Sequence, residues 1–314
     1  MEAALTRSLS RLAAVATLAL LAPSILRAGE LPAREKDLLA RLRARVQAVD
    51  ARLDGVLGVY VRDLSTGSTV EVRPDEVFPT ASSIKLAVLY ELYRQADEGR
   101  IDVVEATTPP VPRVGGGGVL QELGDRVSLT WRDLGILMIG WSDNEATNVL
   151  ARRLSLEAVN RRLDALALPG TRMRRLMMDL EAARRGDENV STPREIARLA
   201  EIVARGEGLS PARATDILAV ASVPDEGSHF RRGLPAGVRA ISKPGALEGV
   251  RCEAAWVDVP GRPYSAAVMT AYLRREADGD AAIAELSAAI YDTFDRLARS
   301  SPYGRIVSDR VTAK

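Results

Sequence analysis

Ser82 and Lys85 stand three residues apart, where a polar, proline-containing loop gives way to an apolar run from Leu86 to Ala96. On a helix, positions i and i+3 share a face, so the lysine amine can lie beside the serine hydroxyl. A serine is a poor nucleophile at neutral pH and needs a base next to it. A lysine becomes that base when burial or a nearby cation lowers its pKa. A helix start also offers free backbone N–H groups and a favourable dipole for developing negative charge. Ser83 is the rival nucleophile, but it has no lysine at i+3 or i+4 and points off that face. The same spacing also describes a capped helix with an exposed lysine, so the rest of the chain must decide.

Two further short clusters stand out along the chain. Ser142-Asp143-Asn144 falls between two helical runs, and Lys243-Pro244-Gly245 falls in strand-like sequence. A second lysine near the first would lower its pKa, because like charges disfavour protonation of both. The single histidine, His229, has no G-x-S-x-G elbow with it and reads as a solvated loop residue. Four glycines, Gly115 to Gly118, follow Pro109, Pro110 and Pro112 and read as a flexible linker. No G-K-[ST] follows them, which argues against a phosphate loop.

The elements needed to position these residues can be placed from hydrophobic period. Pro32 to Leu53 reads as a long charged helix with Leu38, Leu39, Leu42, Val46 and Val49 on one face. Val56 to Leu64 and Thr69 to Val72 read as a hairpin around Ser65-Thr66-Gly67-Ser68. Helices are expected from Ser82 to about Gly99, then from a Thr130-x-x-Asp133 capping signal to Trp141. More follow at Glu145–Leu154, Leu156–Leu166, Thr192–Arg205 and Pro211–Ala221, with cap and N1-proline signals at Ser191 to Glu195. Strands return at Gly237–Ser242, Ala254–Val259 and Tyr264–Leu273, before a helix at Ala281–Ala298. This order predicts an α/β plus all-α fold: an antiparallel sheet flanked by N- and C-terminal helices, with an inserted helical domain. Residues 32–80 and 225–300 would form the discontinuous α/β domain, and residues 81–224 the helical one.

Composition closes off several alternatives. The 314 residues are 46% apolar with a net charge of +1, enough for a sizeable core and without the basic footprint of a nucleic-acid binder. One cysteine, Cys252, excludes an internal disulfide and a cysteine-based metal site. Arg7 and Arg11 precede a 15-residue apolar run, Leu12 to Leu26, with Ala28 before an expected cleavage point. That run is short for a membrane span, so residues 1–28 are expected to be a signal peptide for a periplasmic or secreted protein.

Ser82-x-x-Lys85, Ser142-Asp143-Asn144 and Lys243-Pro244-Gly245, in this order, resemble the signature of the class A β-lactamases and penicillin-binding proteins. Phe78-Pro79 before the nucleophile, Asn148 after the second motif and Ala246 after the third fit the same resemblance. It implies that Ser82 forms an acyl-enzyme and that Lys85 assists its deprotonation. Ser142 would relay a proton to the departing nitrogen. Asn144 would hold a substrate amide and support Lys85, with Asp143 as a loop anchor. Lys243 would hold Ser142 and draw in a substrate carboxylate, helped by Arg251. The backbone N–H groups of Ser82 and Ala246 would form the oxyanion hole, with Gly245 beside them. The implied activity is β-lactam hydrolysis. A D-Ala-D-Ala-type peptidase or esterase, or a weakly active wall-associated binding module, are the alternatives. A β-lactam or a peptidoglycan-like peptide is the implied substrate, for a monomer without metal or organic cofactor.

Two departures stand out. Pro244 replaces the usual threonine or serine, removing a hydroxyl and an N–H, which suits only an edge strand. The glutamate that activates the deacylating water should fall near residues 176–178, but those are Leu176, Met177 and Met178. Asp179 and Glu181, in sequence that reads as helical, are the nearest candidates for that base.

Overall fold

A computed structural model describes residues 33–301 and 303–306, so the expected signal segment at 1–28 lies outside the described residues. Five antiparallel strands form the main sheet. Their spatial order is Thr69–Val72, Val56–Asp63, Tyr264–Ala271, Val250–Val257 and Ala240–Leu247. The first hairpin and the last three strands thus meet across a long helical excursion, as the sequence order predicts.

Both faces of the sheet are covered, and the strands alternate between two apolar layers with a period of two. Leu57, Val59, Val61, Ala255 and Val257 face the terminal helices Ala33–Arg52 and Glu276–Arg299, which contribute Leu39, Leu42, Val46, Val49, Ile283, Leu286 and Ile290. Ala254, Trp256, Ala267 and Met269 face the helical layer. There the helix Pro193–Arg205 packs on the sheet, and the helix Lys85–Asp97 is buried on nearly all sides. Pro193–Arg205 packs on both the sheet and the neighbouring helices, and the described residues fall in one compact unit.

Several boundaries differ from the sequence reading. The third-motif strand begins at Ala240 and runs to Leu247, past Pro244 and Gly245. Proline is tolerated because the strand is an edge with a single neighbour, Val250–Val257. Gly245 is required there by crowding: a Cβ would lie 2.4 Å from Thr80 O and 2.7 Å from Cys252 Sγ. The last helix begins at Glu276, five residues before its expected start, and carries Gly279. That glycine lets the helix approach Leu273, whose Cδ1 would be 2.6 Å from an added Cβ. Within 176–183, only Leu180 onward is helical, and Met178 takes a left-handed φ of 63°.

Candidate active site

The three motifs meet at one cavity of about 310 Å³. Ser82 lies in a short 3-10 turn, Ala81–Ile84, that runs directly into the helix Lys85–Asp97. Ser82 is half-buried, lines the cavity, and its hydroxyl has no hydrogen-bond partner among the described residues. Ser83 is buried, with its hydroxyl donating to Lys243 O at 2.8 Å, so the rival nucleophile is structurally committed.

Lys85 is wholly buried. Its Nζ contacts Ser142 O at 2.6 Å, Ser142 Oγ at 3.1 Å and Asn144 Oδ1 at 3.1 Å. Burial pushes its pKa well below the ordinary lysine value of 10.5, and the Lys243 charge lowers it further, against the opposing pull of Asp143 and Asp225. The like-charge cause expected from sequence is therefore present but second to desolvation.

The second motif is held by its own loop. Ser142 sits at φ 50° between the helices Trp131–Gly140 and Asn144–Leu154. Asp143 caps the second helix through Ala146 N (2.8 Å), and its other oxygen accepts from Val119 N (2.8 Å) and Leu120 N (2.7 Å). This is the anchoring role expected of it. Asn144 Nδ2 donates to Gly115 O, and Asn144 N to Gly117 O. The glycine run is thus tied to the second motif, with Gly116 and Gly117 lining the cavity, and is not a free linker. A Cβ on Gly118 would lie 2.2 Å from Asp143 Oδ2, so only glycine fits beside that carboxylate.

Left-handed backbone clusters here. Of the seven described non-glycine residues at positive φ, Ala81, Ser142 and Met178 all line this cavity. Such conformations cost about 1–3 kcal/mol each and persist where the surroundings impose them, commonly at functional sites.

The third motif departs from its expected contacts. Lys243 is wholly buried, and its Nζ donates to Asp225 Oδ2 at 2.6 Å, with no hydrogen bond to Ser142 among the described residues. Burial lowers its pKa, opposed by Asp225. Gly245 and Ala246 line the cavity beside Ser82. Arg251 also lines it, but its guanidinium is held by Asp280 (2.9 Å) and by Leu247 O and Val250 O. His229 opens a short helix, His229–Arg232, lines the cavity, and places Nε2 3.2 Å from Asp280 Oδ1. It is not the solvated loop residue that its isolation in sequence suggests.

The segment at 173–180 forms the remaining wall, pinned by three asparagines. Asn160 brackets Met173, and Asn189 accepts from Arg174 N and Arg175 N. Asn148 donates to Met177 O (3.0 Å) and accepts from Met177 N (2.8 Å). Met177, Met178 and Leu180 line the cavity. Asp179 and Glu181 are exposed and absent from its lining, and Asp179 caps the following helix through Ala182 N (2.9 Å). The carboxylates that do line it are Asp225, Glu253 and Asp280. Sequence alone carries no signal for the first and last of these, which lie 18 residues before and 37 after Lys243. Glu253 is findable only through register, where it faces Pro244.

The sequence profile of the β-lactamase enzyme family matches residues 41–294. The chain belongs to that family. A β-lactamase of Streptomyces lavendulae is 31% identical over 270 residues, covering 82% of this chain and 87% of its own length. A β-lactamase of Streptomyces albus G is 33% identical over 260 residues, covering 78% and 80%. Among solved structures, an ancestral class A β-lactamase aligns with a TM-score of 0.75 at 27% identity, covering 81% of this chain and all of its own. The structure of PBP-A aligns with a TM-score of 0.74 at 28% identity, covering 82% and 97%. As a family member with this fold, the chain is a class A β-lactamase-like serine hydrolase.

Proposed function

We propose that this β-lactamase-family hydrolase opens β-lactam rings through a Ser82 acyl-enzyme, acting as an exported monomer. The observation that carries the reading is the buried Lys85 amine, lowered in pKa and bonded to Ser142 and Asn144 one turn from an unengaged Ser82 hydroxyl. Neutral Lys85 takes the Ser82 proton as Ser82 Oγ bonds to the lactam carbonyl carbon. The oxyanion is held by the N–H groups of Ser82 and Ala246. The C–N bond then breaks, and the nitrogen takes a proton through Ser142, which Lys85 resupplies. Asn144 keeps both the lysine and a substrate amide in place.

Release follows when water attacks the ester and returns Ser82 to its hydroxyl form. A second reading applies to this half alone. Apolar Met177 lines the cavity where the resemblance implies a carboxylate, which favours slow deacylation and a long-lived adduct. Among the similar structures is an acyl-enzyme complex of a PBP-A mutant with penicillin G.

The test is to incubate the purified protein with a chromogenic cephalosporin and with benzylpenicillin, following absorbance and intact mass together. Steady turnover supports the first reading. A persistent adduct on Ser82 supports acylation with slow release. No adduct and no turnover, with benzylpenicillin methyl ester as well as with these two compounds, would refute both.

A further inference from the structure

The Lys243 end of the cavity is built against what its motif leads one to expect. Lys243 and Asp225 form a buried pair at 2.6 Å, with side-chain exposures of 0% and 9%. The carboxylate is therefore the member that reaches the cavity, and Asp225 is among its lining residues while Lys243 is not. Asp225 is fixed from both sides, since its Oδ1 accepts from Gly227 N at 2.8 Å. Pro244 offers neither hydroxyl nor N–H beside it. Glu253, paired with Pro244 across the strands, is buried and bonded by Ser228, Ser242 and Phe230 N. Arg251, the other cation here, already holds Asp280, as does His229.

Each cation at this end thus carries a carboxylate of the protein's own. An incoming carboxylate would meet Asp225 before Lys243, and would have to displace it or lie against it with little water between. Like charges placed so are strongly selected against. We infer that Asp225 is a specificity determinant that closes this end to anions. The substrates favoured carry an uncharged ester or amide where penicillins and cephalosporins carry their free carboxylate. This rests on the proposed acylation of Ser82.

The experiment compares benzylpenicillin with its methyl ester, which keeps the lactam and masks the carboxylate. Acylation rate constants are read by time-resolved intact mass on the full chain, the Asp225→Asn variant and the Asp225→Ala variant. The unaltered chain should acylate with the ester at least as fast as with the acid. Either substitution should shift the acid-to-ester ratio toward the acid by about tenfold or more. The ratio is independent of how much of a variant folds, and the asparagine keeps an acceptor for Lys243. Acid labelling ten times faster than ester in the unaltered chain, or a ratio unmoved in both variants, overturns the role of Asp225 alone. Failure of both compounds to label Ser82 overturns the acyl-enzyme reading as well.

Discussion

Two walls of the same cavity are built differently. One carries Lys85, Ser142 and Asn144, polar groups bonded to one another and held in a buried setting that depresses the lysine pKa. The other, residues 173–180, is as firmly held, by Asn148, Asn160 and Asn189, yet it presents Met177, Met178 and Leu180. Rigidity alone therefore does not mark the working wall. The first wall holds the proposed base, Lys85, in contact with Ser142 and Asn144, whereas the second presents apolar side chains, Met177, Met178 and Leu180, where a water-activating carboxylate would be expected.

The largest effects should come from breaking the first wall. Ser82→Ala should abolish the covalent adduct seen by intact mass. Lys85→Ala should slow acylation by about 10³-fold, within the usual range for loss of a general base. Ser83→Ala should stay within about threefold, because its hydroxyl is spent on Lys243 O. The same wall predicts a pH profile. Lys85 acts when neutral, so acylation should rise with pH through its lowered pKa and be lost as pH falls below it. An acidic limb at or above the ordinary lysine value of 10.5 would remove Lys85 from the role of base.

The next effect should come from giving the second wall what it lacks. Met177→Glu would place a carboxylate on a residue whose backbone Asn148 already fixes and whose side chain already lines the cavity. Steady-state hydrolysis of benzylpenicillin should rise about 10–100-fold, with acylation itself little changed. An unchanged turnover number would mean that release is limited elsewhere. By contrast, Asp179→Asn and Glu181→Gln should leave release unaltered, since both side chains lie outside the cavity lining.

Legibility in the sequence divides along the same line. The proposed nucleophile and base, Ser82 and Lys85, can be paired in the sequence because three residues on one helical turn bring them together, whereas the roles proposed for them and for Ser142 come from the family resemblance of the three motifs in order. Pro244 correctly marks an edge strand, since a missing N–H is a constraint that acts at its own position. The partner of Lys243 is not readable. Asp225 becomes its neighbour only when the loop before His229 folds against the edge strand, and no periodicity records that. The glycine run misleads for a related reason. Glycines chosen to let Asp143 and Asn144 close on the backbone look, in sequence, like glycines chosen for freedom. Residues 176–183 mislead because their helical composition is honoured only from Leu180 onward, the rest being fixed by distant asparagines.

The smallest effect separates rigidity from chemistry most cleanly. Asn148→Ala would leave Met177 N–H and C=O without their partners in a buried segment. Stranding two such groups should cost about 3 kcal/mol, seen as a fall in Tm of roughly 5–10 °C for a chain of this size. Acylation of Ser82 should nevertheless stay within about threefold, because no hydrogen bond runs from Asn148 to Ser82, Lys85 or Ser142 among the described residues. If acylation instead fell in step with Lys85→Ala while Tm held, the two walls would be a single catalytic unit, and Asn148 would belong to the first.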